Sequence, residues 1–146
     1  MTRVGIISDT HGLLRPEVIV FLKDSDFIVH AGDVGDASVL EALRGIAPVI
    51  AVRGNNDKGN WAKIIPEFGV LQTGGIRIYV LHDLSELDLN PEASGFRVVV
   101  SGHSHRPSVR EKGQALYINP GSAGPRRFKL PIAAAELHIY GPSIRV

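Results

Sequence analysis

His103 and His105, one residue apart, close the stretch Val-Val-Val-Ser-Gly-His-Ser-His at residues 98–105. Asp9 and His11 stand in the same relation after the apolar run 4–8. Asp33 follows Gly32, Asn55 follows Gly54, and His82 follows the run 78–81. Together these are two carboxylates, one amide and four imidazoles, with no sulfur. That donor set suits borderline divalent ions such as Mn²⁺, Fe²⁺, Co²⁺, Ni²⁺ or Zn²⁺ rather than a Ca²⁺ or Mg²⁺ cage. Seven donors exceed what one ion with an open position takes, whereas two ions sharing a carboxylate use them well. In extended backbone, residues i and i+2 project to one side, so each Asp-x-His or His-x-His pair would aim at one point.

Taken singly, each motif is weak. Gly-Asp and Gly-Asn-Asn-Asp are ordinary turn formers, and an Asp-x-His at a strand end is common enough without a metal. Co-location changes the balance. Four of the six histidines directly follow apolar runs, and turn chemistry alone has no reason to select imidazole there. His30, inside a run, reads as a packed or supporting residue, and His138, in the last strand, as structural.

The elements that must position these residues follow from periodicity. Apolar runs at 4–8, 27–31, 49–53, 78–81 and 96–100 have the continuous character of strands buried on both faces. Leu14, Val18, Phe21 and Leu22 share a helical face that Pro16 opens, and Val39, Leu40, Leu43 and Ile46 share another, with Ser38 and Glu41 spaced as a capping box. Strand–helix–strand–helix–strand implies right-handed crossovers and a parallel sheet, whose ligands gather beyond the carboxyl ends of the strands. All five polar clusters sit at that edge. Farther on, Gly74-Gly75 and Lys112-Gly113 mark two hairpins. A helical turn opens at Asn90-Pro91 and ends by Gly95, and strands at 132–139 and 143–146 finish the chain. The reading is an α/β fold: a βαβαβ half, then a half rich in antiparallel strands, forming one domain over 1–146 with two packed sheets, outer helices and no cap domain.

Composition bounds the rest. The 146 residues suit one core, and 44% hydrophobic with 21% charged residues is ordinary for a globular chain. A net charge of +1 leaves no electrostatic footprint for duplex nucleic acid or an anionic membrane surface. There are no cysteines, which excludes disulfides and thiolate sites. The N-terminus turns polar too early for a signal peptide, and no apolar stretch reaches about 20 residues. A cytoplasmic location is expected, and uncovered apolar strands at the sandwich edge leave room for a homo-oligomer.

The ordered set Asp-x-His, Gly-Asp, Gly-Asn-x-Asp, His, Gly-His-x-His resembles the calcineurin-like metallophosphoesterases over nearly the whole chain. Asn119-Pro120-Gly121-Ser122 and the short length look like their compact single-domain phosphodiesterase branch, a fold that also serves a scaffold subunit of the retromer coat. The resemblance implies a four-layer αββα sandwich and two divalent ions, with Mn²⁺ the first expectation. It places Asp9, His11 and His105 on one ion, Asn55, His82 and His103 on the other, and Asp33 between them. It further implies a phosphodiesterase acting on small diesters through a metal-bridging hydroxide, with a non-catalytic scaffold or a phosphomonoesterase as alternatives.

Two departures from the family pattern stand out. Many members place a histidine straight after the motif Asn, to stabilise the transition state or protonate the leaving group. Here the residue is Asn56, which donates a hydrogen bond but no acidic proton, so some of the roughly 10²–10⁴-fold supplied by general acid catalysis is forgone. The usual His-Gly-His is His82-Asp83-Leu84, where Asp83 either orients a ligand histidine or caps the next turn. Asp57 is a second carboxylate placed to support the ligands. Arg126 is expected to reach a phosphoryl oxygen and reads equally as a solvated loop charge, while Arg127 reads as a solvated loop charge. Trp61 either stacks on an aromatic leaving group, or is packed in the fold or at an oligomer interface.

Overall fold

In a computed structural model that describes residues 1–146, the chain forms ten strands in two five-stranded sheets. The first sheet has the order β10-β9-β1-β2-β3, from Ser143–Arg145, Ala135–Tyr140, Thr2–Ile7, Phe27–His30 and Val49–Ala51. The second has the order β4-β5-β6-β8-β7, from Phe68–Thr73, Ile76–Leu81, Val98–Val100, Ala115–Asn119 and Ser108–Lys112. β1, β2 and β3 run parallel, with Val4 opposite Phe27 and Ile28 opposite Val49, and β9 closes against β1 antiparallel.

The second sheet departs from an antiparallel reading. β5, β6 and β8 run parallel, and only β4 and β7 are antiparallel additions at its two edges. The β5–β6 crossover at 82–97 contains only a 3-10 turn, Leu84–Glu86, and a helical turn closed by Ser94 N–H donating to Asn90 O at 3.0 Å. Without a 3.6-residue apolar period, nothing in that segment announces a crossover. Both hairpins form where the glycines fall; Gly74 and Gly75 adopt φ of 59° and 79°, as the turn between β4 and β5 requires.

The two sheets pack face to face through one apolar layer. Val4, Ile6 and Val29 of the first meet Ile78, Val80, Val98, Val100 and Ile118 of the second, all essentially without solvent access. Each such side chain contributes about 1.5–3 kcal/mol relative to exposure. The outer face of the first sheet is covered by α1, Pro16–Leu22, and α2, Ala37–Arg44, through Val18, Leu22, Val39, Leu40 and Leu43. The outer face of the second is covered by the 84–96 segment through Leu87, Leu89 and Phe96. The result is an αββα sandwich whose fourth layer is thin.

Two helical details differ from the sequence reading. Phe21 is 41% exposed, because the short α1 buries only Val18 and Leu22. The cap of α2 is Asp36, whose carboxylate accepts the Ser38 N–H at 3.2 Å, so Ser38 lies inside the helix and no capping box forms.

Candidate metal centre

The carboxyl ends of β1, β2, β3, β5 and β6 meet at one edge of the sandwich, and loops from all five deliver the polar clusters there. Backbone hydrogen bonds lace these loops: Asp9 N–H donates to Gly32 O at 3.0 Å, His11 N–H to Asp33 O at 2.9 Å, and Gly102 N–H to His82 O at 2.9 Å. The convergence has a different geometric origin from extended alternation. Asp9, His11, Asp33, His103 and His105 adopt φ of 57°, 47°, 55°, 72° and 60°, all in the left-handed region. Only one other non-glycine residue, Phe128, does so. Five such conformations at one edge cost of order 1–2 kcal/mol each and are sustained by the surrounding loops.

Two groups of side chains result, each able to present its donor atoms within 4.8 Å of one another: Asp9, His11 and His105, and Asp33, His82 and His103. In the first, Asp9 Oδ1 lies 3.4 Å from His105 Nε2 and 3.9 Å from His11 Nε2. Asp9 Oδ2 accepts from the Ser8 hydroxyl at 2.7 Å and from His103 N–H at 3.1 Å. Oδ1 is buried with no hydrogen-bond donor, and Nδ1 of His105 is likewise buried without a partner. In the second, His82 Nδ1 donates to Ala31 O at 2.7 Å, which turns Nε2 toward Asp33 Oδ2 at 3.2 Å and Asn55 Oδ1 at 3.0 Å. His103 Nδ1 lies 3.2 Å from the same Asn55 oxygen. The groups are joined by Asp33, whose Oδ2 is also 3.7 Å from His11 Nε2.

The electrostatics follow from burial and these contacts. Burial raises the Asp9 carboxyl, and the Ser8 hydrogen bond with the His82 and His105 charges only partly offsets it. Burial acts on Asp33 in the same sense, but hydrogen bonds from His82 and Asn56 outweigh it and hold the group below the usual carboxylate range. His82 is pushed down by burial and pulled up further by Asp33 and the Ala31 carbonyl. His105 is lowered by burial, with the Arg127 charge adding in the same sense against Asp9. A buried anionic oxygen without a donor, facing two imidazole nitrogens, is a cradle for a cation; so is an amide oxygen facing two more. The donor chemistry fits divalent ions.

The remaining predicted residues fall in distinct places. Asn56 donates to Asp33 through both its backbone and its side chain. Asp57 touches no ligand ring; it accepts the backbone N–H of Val34, Gly35 and Gly54 at 3.1, 2.9 and 2.9 Å, tying the Asp33 loop to the Asn55 loop. Asp83 is placed for both of its roles. Its Oδ1 caps the 3-10 turn by accepting from Ser85 N–H and hydroxyl at 3.0 and 2.8 Å, and its Oδ2 lies 3.9 Å from His103 Nε2. Arg126 and Arg127 are both exposed, in the loop after Pro125. Trp61 packs against the α2 layer, away from the ligands.

His30 is the supporting residue that the sequence suggests, and Thr10, Ser8 and Asn119 join it only in the fold. His30, fully buried, accepts Gly32 N–H at Nδ1 (3.1 Å) and meets Thr10 Oγ1 at Nε2 (2.9 Å). Because the Thr10 hydroxyl donates to Val34 O at 2.8 Å, His30 Nε2 carries the proton and the ring is neutral; burial drives its pKa down to about 3. Ser8 orients Asp9. Asn119, at the end of β8, donates to Gly102 O and Ser104 Oγ at 3.0 and 3.1 Å and so anchors the His103–His105 loop. A hydroxyl or amide in a turn leaves no periodic signal; only the Asn-Pro-Gly-Ser stretch marked Asn119.

Comparison with known proteins agrees with this geometry. Residues 2–140 match the family model described as "Calcineurin-like phosphoesterase superfamily domain". A probable metallophosphoesterase of Methanocaldococcus jannaschii is 35% identical, the match covering 82% of this chain and 67% of the relative. A phosphodiesterase of the same organism is 28% identical, with 82% of both chains covered. Vps29 of Chaetomium thermophilum superposes with a TM-score of 0.84 over 99% of this chain and 85% of its own; at 21% identity that likeness is one of fold alone.

Proposed function

The chain belongs to the calcineurin-like phosphoesterase superfamily, and from that premise we propose that it hydrolyses small phosphodiesters with the help of two divalent ions. The observation that carries the reading is the Asp33 carboxylate, whose Oδ2 faces His82 at 3.2 Å on one side and His11 at 3.7 Å on the other. Asp9, His11 and His105 would hold one ion, Asn55, His82 and His103 the other, with Asp33 shared. Mn²⁺ leads, with Fe, Ni, Co and Zn as alternatives. Such a pair supplies an acidified water and positive charge at the phosphoryl oxygens.

The chain's own residues do the rest. Ala31 O and Asn119 fix His82 and the His103 loop before substrate arrives, so little reorganisation accompanies reaction. Side-chain exposure rises from 0% at Asp9 to 45% at His103, so substrate enters from the His103 side. Asn56, bonded to Asp33, supports the shared carboxylate and offers no acidic proton, which favours diesters with good leaving groups. Arg126 remains the arginine proposed to reach a phosphoryl oxygen, with Arg127 the weaker candidate. The phosphodiesterase relative supports diesters over monoesters.

A scaffold role on the same fold calls for no complete donor set; here all seven positions carry competent donors that converge, which favours the enzyme. The deciding experiment combines metal analysis with rates on bis(p-nitrophenyl) phosphate and p-nitrophenyl phosphate, for wild type and Asp33→Asn. We expect two ions per chain at saturating Mn²⁺, fewer in the variant, and higher kcat/KM on the diester. Fewer than two ions in the wild type contradicts the dinuclear site, and no diester hydrolysis with any of the five metals contradicts the activity.

A further inference from the structure

The outer face of the second sheet carries positive charge that the metal centre does not use. Along β7, Ser108, Arg110 and Lys112 share one face. The register sets Ser108 opposite Asn119, Arg110 opposite Tyr117 and Lys112 opposite Ala115. Leu116 and Ile118 point into the core between the sheets, while Tyr117 packs with Leu81 and Val99 on the outside. The Arg110 row is therefore on the outside too. It starts at the metal centre, because Asn119 is bonded to Gly102 and Ser104 on either side of His103.

A groove of about 310 Å³ runs from His103 along this row, with Ser104, Arg106, Arg110, Tyr117 and Leu84 on its walls. A second hollow of about 500 Å³ shares Leu84, Arg110 and Tyr117 with it and extends to Leu87, Lys112 and Glu111, the last alternating to the opposite face of the strand from Arg110 and Lys112. Arg106 is tied to the loop by its backbone N–H, 3.2 Å from Ser104 Oγ, and neither its guanidinium nor that of Arg110 is in a salt bridge; the paired arginines are Arg3 and Arg53. The one carboxylate beside His103, Asp83, is engaged by Ser85. Residues two apart on a strand face lie about 6.6 Å from each other, so Arg110 and Lys112 present successive charges along the groove.

Resting on the phosphodiesterase reading for the scissile group, we propose that this groove makes the enzyme selective for nucleotide esters that carry a second phosphate, such as short single-stranded oligonucleotides. The metal centre takes the scissile phosphate. The adjoining nucleoside lies against Tyr117 between Leu84 and Leu87, where any base can stack. The next phosphate meets Arg106 and Arg110, whose planar forks match two phosphate oxygens. The net charge of only +1 fits a local phosphate subsite rather than a general nucleic-acid surface.

The test uses the metal-loaded full chain and three thymidine dinucleotides: TpT, pTpT and TpTp. One of the two phosphorylated forms is expected to show a kcat/KM roughly tenfold or more above that of TpT. Arg110→Gln and Arg106→Gln should each bring that ratio toward one, and Arg110→Lys should keep part of it. Equal kcat/KM for all three, or a ratio that survives both glutamine variants, overturns the groove. If no diester is cleaved under any metal, the phosphodiesterase reading fails by itself, and equilibrium binding of the same dinucleotides decides the groove. Tighter binding of a phosphorylated form, lost in Arg110→Gln, supports it; equal binding overturns it.

Discussion

Asn56 addresses both oxygens of the Asp33 carboxylate: its backbone N–H donates to Oδ1 at 2.9 Å and its side-chain amide to Oδ2 at 3.2 Å. Oδ2 is also the oxygen that faces His11 and His82. The residue that takes the place of the family's histidine therefore helps to hold the carboxylate shared by the two ligand groups. Positioning of Asp33 comes at the expense of a proton donor.

Asn56→His should restore an acid while removing the amide donor to Oδ2. The expected result is a selective gain: turnover of a diester with an alkyl alcohol leaving group rises, by up to about 10²-fold, while that of bis(p-nitrophenyl) phosphate changes little, since p-nitrophenolate needs no proton. Rates on both substrates at matched metal saturation check this, and an equal change on both counts against the assigned role. Asn56→Ala should weaken metal binding only severalfold, because the backbone N–H to Oδ1 remains.

Asp57 is a structural staple. Asp57→Ala leaves three backbone N–H groups, those of Val34, Gly35 and Gly54, without their acceptor. The Val34 and Gly54 donors are buried, and an unsatisfied buried donor costs about 1–3 kcal/mol, so a loss of roughly 2 kcal/mol or more is expected in urea unfolding of the metal-free protein. Asp57→Asn keeps an acceptor oxygen and should lose less. A change below about 0.5 kcal/mol for the alanine variant would show that water replaces the carboxylate at those amides.

The strand ends were legible because a short, continuous apolar run between turn residues is seldom anything but a buried strand. The donors were legible because imidazole is a costly choice for a plain turn. Their convergence, by contrast, does not arise from strand alternation. Extended backbone would aim Asp9 and His11 together, yet both residues sit at positive φ, and the loops beside them, through Gly32 O and Asp33 O, set their direction. Left-handed conformations at Asp and His are not announced by composition, since these residues occupy several backbone regions. The parallel pairing of β5 with β6 was hidden for a related reason: its crossover is built from turns, and turns carry no period. His30 reads from the sequence as packing or support and is both, but which nitrogen holds the proton depends on Thr10 and Gly32, which only the fold brings to it.

The neutral His30 makes stability pH-dependent. Its folded pKa, about 3, lies below the unfolded value near 6.5, so the unfolded chain takes up a proton before the folded one does. Stability from this group is fully present above about pH 6.5 and is lost as pH falls toward 3, at up to about 1.4 kcal/mol per pH unit. Unfolding of metal-free wild type and His30→Asn between pH 4 and 7 should show a steeper decline for wild type. Parallel pH profiles would mean that the ring protonates in place. Asp33 acts in the same sense at lower pH: its depressed carboxyl adds stability above the ordinary carboxylate range, which is lost as pH falls below that range.

Gly54 and Gly12 separate close packing from backbone conformation at the same site. A Cβ on Gly54 would sit 2.2 Å from both the backbone N and Oδ1 of Asp33, and the backbone atom cannot swing away. Gly12 stands next to His11 with φ of 82° and nothing within 4 Å of a Cβ, so Gly12→Ala incurs only the left-handed strain of about 1–2 kcal/mol. Gly54→Ala should therefore displace the shared carboxylate and lower Mn²⁺ affinity roughly 10–100-fold, a size known for disturbed ligand supports. Gly12→Ala should lower the melting temperature while keeping Mn²⁺ affinity within severalfold. Calorimetric titration read beside thermal unfolding distinguishes the two. If both variants lose affinity in proportion to their lost stability, the Gly54–Asp33 contact has no particular role in the site, and general softening of the loops accounts for both.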